Sequence, residues 1–384
     1  MSRNRYLFAA ALGLAAASWG GTKAVRAGDD AKPAAPGPGK HLDEPSSDWF
    51  AREQRPDGSW GADDAPAGSD ADDVSATSLA LLAFFNVGYT HRSGDSAGRV
   101  VNDAVKWLRS RQDADGRFLP RDRPGSRRHD ALATAALVTS YGMTGAAAHR
   151  AITQRALDAL AATDAAKPPA SASEISSLDA FGWAAYALGT AREIVRIETK
   201  AGKDATLRVD DRAFAPARAW LDAPDTAKAR DPSFVATRVL VRASIGYGKA
   251  DLDALRRDVV LLSAHPVPTR AEDDLPGRVA AIAQLGANYT LSAGLDAWFP
   301  RGQAWHRAAL RAGADAGGLR GSYDERGPLA TRTGRVEATA YGCLAEWPSC
   351  TAYLPRYPGT EPAPEPDAAP APPTGTDTGM APAK

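Results

Sequence analysis

The chain has 384 residues, enough for one large domain or two, and 44% hydrophobic residues allow a sizeable core. Its 28 Pro and 35 Gly mark frequent chain breaks, and 46 basic residues balance 46 acidic ones. Zero formal charge gives no footing for nucleic acid or an anionic membrane surface as a partner.

Residues 1–27 read as an export signal. Arg3 and Arg5 supply positive charge, Tyr6 to Trp19 form a short apolar run, and Val25-Arg-Ala27 precedes a cut ahead of Gly28. An uncleaved anchor is the other reading, although the run is short for a membrane span. No transmembrane segment is expected in the mature chain. No Cys follows the run and no Arg pair precedes it, which argues against a lipoprotein and against twin-arginine export. Residues 28–42 are Ala, Pro, Gly and charge, and read as a linker.

Ser46-Ser47-Asp48 offers N-cap candidates for a short helix carrying Trp49 and Phe50. A turn from Gln54 to Trp60 follows. Asp70 to Phe85 reads as a helix apolar on nearly every side and ended by Gly88. Ser96 to Gln112 is amphipathic, with Val100, Val101, Ala104, Val105 and Leu108 on one face. The alternation repeats: His129 to Tyr141 inner and Ala146 to Ala161 outer, then an inner stretch at Asp179 to Leu188.

Ile194 to Glu198 and Thr206 to Val209, around Lys200-Ala-Gly-Lys203, suggest a small inserted β-hairpin. Phe214 to Leu221 then reads as outer, Ser233 to Ile245 as inner and Asp251 to Ser263 as outer. Pro276 to Leu291 is inner, Gln303 to Arg311 outer and Gly334 to Glu346 inner. Residues 359–384, rich in Pro and Ala, read as a disordered tail.

Two observations give the period. Trp49, Gln54, Gly58 and Trp60 recur as Trp107, Gln112, Gly116 and Phe118, each 58 residues on. Ala-Thr pairs end at Thr77, Thr134, Thr237 and Thr339, with steps of 57, 103 and 102, the long steps being double. The expected fold is therefore all-α: a single α/α toroid over residues 43–358 with about six inner and six outer helices. Closure would bury every inner helix on both sides, and an open solenoid of the same units is the rival.

The Gln-x3-Gly-x-aromatic pattern of Gln54 to Trp60 and Gln112 to Phe118 resembles the QW motif of the prenyltransferase and squalene oxidase repeat superfamily. Leu79 to Gly94, Gly318 to Tyr323 and Gly334 to Thr339 look like secreted bacterial members of that group. The resemblance implies the toroid and a stapling role for the motif, with aromatic, Gln amide and Gly fastening turns between outer helices. Asp70-Ala-Asp-Asp73 also has the D-x-D-D form of class II terpene cyclases. Asp72 would then be a general acid, with Asp70 and Asp73 beside it and an apolar or polyprenyl ligand as substrate. The other reading of these carboxylates is helix capping at the positive end of the dipole.

Against catalysis, the inner stretches are mostly Ala, Leu, Val and Thr, whereas a carbocation needs aromatic faces. The expectation is thus a binding or scaffolding protein, exported to the periplasm or beyond, whose partner is an apolar small molecule or a protein. No cofactor is expected. A zinc site would need His129 or His306 to meet the cysteines. A glycan-cleaving toroid would need Asp72 or Asp73 to pair with Glu337 or Glu325. Cys343 and Cys350, in an exported chain, read as a disulfide, two buried thiols being the alternative.

Overall fold

The computed structural model describes residues 44–61, 70–120, 125–162, 168–169, 175–245, 249–264, 322 and 327–346. All of them fall within one compact unit, Gly28–Pro358. Most of the described residues are helical, with no strand among them. No described helix is long and apolar enough to cross a membrane.

α1 runs Glu44–Glu53, α2 Asp70–Asn86, α3 Ser96–Ser110, α4 Ser126–Thr144 and α5 Ala147–Ala161. α6 is Ile175–Lys200. A 3₁₀ turn at Asp211–Phe214 leads into α7 (Ala215–Asp222), then α8 (Pro224–Lys228), α9 (Pro232–Ile245) and α10 (Lys249–Ala264). α11, Gly327–Glu346, is broken at Gly334, whose φ of 72° and ψ of −165° are not helical. The last stretch of α11 therefore starts where the sequence predicts. The predicted elements at 276–291 and 303–311 lie outside the described residues.

Two kinds of helix alternate. In α2, every described side chain from Asp73 to Asn86 is buried, and α9 is buried throughout from Ser233 to Ile245. Each fully buried Leu or Phe contributes about 1.5–3 kcal/mol, so Leu79, Leu82, Phe84 and Phe85 alone hold α2 firmly inside. α3 instead buries one face, Val100, Val101, Ala104, Val105, Trp107 and Leu108, and Asp95 caps its start by accepting from Gly98 N–H at 2.9 Å. The buried helices pack in succession: α2 on α4, α4 on α6 and α6 on α9. α11 packs on α2, so the last described helix lies beside the first of the buried ones. α3 packs on α2, α5 on α4 and α10 on α9 as covering helices.

Glycine ends α2 as expected. Gly88 has φ 93°, and Tyr89 N–H returns to Phe84 O at 3.0 Å. Two expectations are corrected. The first helix begins at Glu44, so Ser46 to Asp48 lie inside it instead of capping it. The inserted hairpin does not exist: Ile194 to Glu198 continue α6, and what read as a hairpin turn is the end of a helix.

The physical reason is that branched residues two apart also satisfy a helix when their partners lie three and four away. Ile194 is buried, Arg196 pairs with Glu193 at 2.6 Å, and Gly202, at φ 69°, lets Lys203 N–H reach Glu198 O. The Glu198 carboxylate then accepts Thr206 N–H at 2.9 Å and holds the outgoing chain, burying Leu207.

Candidate functional site

Polar side chains gather in the first turns of the buried helices. Arg128, in the first turn of α4, donates through Nε to Asp179 of α6 at 2.6 Å, and through Nη2 to Glu337 of α11. Tyr341, one turn after Glu337, donates to Asp179 at 3.0 Å, and Trp183 Nε1 lies 3.4 Å from the Tyr341 hydroxyl. Arg128 is 3% exposed, Asp179 0% and Glu337 1%, so the cluster is closed to solvent. Burial opposes the charge on Arg128; Glu337 and then Asp179 overcome it, raising the guanidinium's pKa well above its ordinary value. One cation here ties three helices together.

Beside it, Ser75 of α2 hydrogen-bonds His129 Nδ1 of α4, both side chains being buried. Asp130, the next residue, accepts Phe118 N–H at 2.9 Å and stands 3.9 Å from Arg117. Burial pushes its carboxyl up to about 6, although the Phe118 N–H and Arg117 pull the other way.

The Asp70 to Asp73 stretch opens α2. Asp73 is 1% exposed and pairs with Arg55 Nη1 at 2.6 Å, an arginine of the preceding turn. A Cβ on Gly61 would come within 2.1 Å of both Arg55 Nη2 and Asp73 Oδ1, so that glycine is what lets the pair form. Asp73 and Asp130 are 57 residues apart, the same step as Thr77 and Thr134. Each carboxylate stands near the start of a buried helix and secures the turn before it. Asp73 thus has an anchoring partner of its own kind in the next copy. The side chains of Asp70 and Asp72 lie outside the described residues.

The two Gln-x3-Gly turns share one geometry. Gln54 Nε2 donates to Gly58 O at 3.0 Å and to Val100 O of α3 at 2.9 Å. Gln112 Nε2 donates to Gly116 O at 3.3 Å and to Ile152 O of α5 at 2.9 Å. Gly58 and Gly116 have φ of 93° and 87°, and a Cβ at either would lie within 2.6 Å of the Asp103 or Arg155 carbonyl oxygen. Trp49 and Trp60 are buried against Phe50, and Trp60 Nε1 donates to Phe50 O at 2.8 Å. Trp60 N–H meets Thr77 Oγ1 at 3.0 Å, where the next copy has Phe118 N–H on Asp130. Trp107 is covered by the Arg111 guanidinium at 5.0 Å from its ring.

Cys343 is buried in α11, and Cys350 lies outside the described residues, as do His306 and Glu325. No group of three or more His, Cys, Asp or Glu placed to hold a metal occurs among the described residues. No local pattern joins Arg128 to Glu337, because the pairing spans 209 positions. The 57-residue step could have flagged Asp130 as the counterpart of Asp73. Compared with known proteins, the chain matches no family profile, and no curated protein is similar to it by sequence.

Proposed function

We propose that this chain is an exported, closed α/α toroid of repeated helix pairs with a binding or scaffolding role and no demonstrated catalysis. Closure rests on α11 lying against α2, together with the succession of buried helices between them. The scaffolding reading is supported by one observation: Arg128 of α4 meets Asp179 of α6 and Glu337 of α11, so the space between these three helices holds a dry cluster of two carboxylates on one cation. A cyclase of the D-x-D-D kind would need an apolar chamber with aromatic walls and a carboxyl kept protonated. Of the D-x-D-D carboxylates, Asp73 is ion-paired with Arg55, as a structural residue of the turn would be.

The test is to purify the mature protein, extract it and analyse the extract for lipid by mass spectrometry, then incubate wild type and Asp72→Asn with squalene. The expected result is no cyclised product from either. Product formed by wild type and lost in Asp72→Asn would replace the scaffold with an acid-catalysed cyclase. A lipid recovered unchanged would identify the apolar partner.

A further inference from the structure

At the other end of the buried helices, two histidines from distant parts of the chain meet. His91 lies in the turn after α2, and His149 is the third residue of α5; their ring centroids are 4.8 Å apart at 60°. His149 is 6% exposed, and its Nδ1 is 3.5 Å from Ser140 Oγ of α4. His91 is half-buried, and its Nδ1 is enclosed without a hydrogen-bond partner. The contact therefore joins the turn between α2 and α3 to the connection between α4 and α5.

We propose that His91 and His149 form an acid-sensitive latch, which holds these two connections together while both rings are neutral and releases them when the pair takes up protons. Among the described residues, the surroundings supply cations and no free compensating anion. Arg92 follows His91 in the same turn, and Arg109 comes from the last turn of α3; both act on His149 with positive charge, as does His91 itself. From α4 the neighbour is the neutral Ser140. α6, which also packs on α5, carries Glu193 and Glu198, and these are committed to Arg196 and to Thr206. Asp95 is committed to the Gly98 N–H. α5 begins at Ala147, its N-cap Ala146 supplies no side-chain cap, and its first turn has no acidic residue, so its positive end adds to the repulsion.

Burial lowers the pKa of His149 to about 4 and lowers that of His91, each ring being further lowered by its cationic neighbours. An opened His149 returns to its ordinary 6.5. Linkage then makes local opening about twenty-fold more favourable at pH 5 than at pH 7.

The experiment is amide hydrogen exchange on the intact chain at pH 7 and pH 5, corrected for intrinsic exchange. Amides of residues 88–95 and 145–152 should lose about twenty-fold protection in wild type, while the middle of α2 changes little. In His149→Gln, whose side chain does not titrate, that loss should shrink clearly, leaving only the part that His91 carries. Equal losses in wild type and variant, or no loss in wild type, would overturn the proposal. Should His149→Gln fail to fold, the His149 ring is titrated by NMR in wild type: a midpoint below 5 supports the latch, and one near 6.5 overturns it.

Discussion

Arg128 donates to Glu337 across 209 positions of sequence, and this one contact joins the second of the buried helices to the last described one. Its partner Asp179 comes from the helix on the other side of α4. The cluster therefore reports on how the buried helices meet more directly than any apolar contact does.

Arg128→Met should destabilise the fold by about 3–5 kcal/mol, because it leaves two buried carboxylates without their cation. Urea denaturation at pH 7 measures this. Replacing Arg128, Asp179 and Glu337 together by Met, Leu and Met should recover much of the loss, since a well-packed apolar set no longer strands a charge. A triple variant weaker than the single one would show that the cluster does more than satisfy itself.

Gly58→Val and Gly116→Val should each cost about 1–3 kcal/mol, from the positive φ alone, and more from the collision with the Asp103 or Arg155 carbonyl. Gln112→Ala loses hydrogen bonds to the carbonyls of Gly116 and Ile152 and should cost about 1 kcal/mol. Thermal melts rank the three, with Gln112→Ala expected to be the mildest. A Gly116→Val protein melting at the wild-type temperature would remove the fastening role from this turn.

Gly61→Ala should separate Arg55 from Asp73, since the added methyl falls on both side chains. Asp73 would then stay buried without its cation, at a cost of several kcal/mol. The comparison is Gly94→Ala, where a Cβ meets nothing within 4 Å and melting should be unchanged.

Asp130 and His149 give opposite pH dependences. Asp130 rises from 3.8 to about 6 on folding, so in that window the native state holds the extra proton and stability falls as pH rises. His149 falls from 6.5 to about 4, so the unfolded state holds the extra proton and stability falls as pH drops through that range. Asp130→Asn keeps an acceptor for Phe118 N–H and removes the first effect. Its stability should therefore decline more steeply than that of wild type when the pH is lowered from 6.5 to 4. Parallel curves from urea titrations at each pH would refute the Asp130 assignment.

Much of the helical pattern was legible because it is local. The all-round apolar character of 74–85 required enclosure, and α2 is enclosed. Gly88 ended that helix through a positive φ that few other residues adopt. The same locality misled at 194–209. Alternating branched residues fit both periods, and only the packing of Ile194 and Leu207 and the capture of Thr206 by Glu198 separate them. In the candidate site, Asp73 was visible as one of a row of carboxylates. Its partner was not, because Arg55 reaches it across the turn at 55–61.

By itself, the sequence determined that the described residues form helices, where several of them end, and that some are buried on all sides. Those properties follow from residue periodicity and backbone freedom, which act over a few turns. Tertiary structure alone decided which polar groups meet: Arg128 with Asp179 and Glu337, Arg55 with Asp73, and His91 against His149. A buried charge must be paired wherever the packing of helices brings a partner, and no local pattern records which helix end will arrive there.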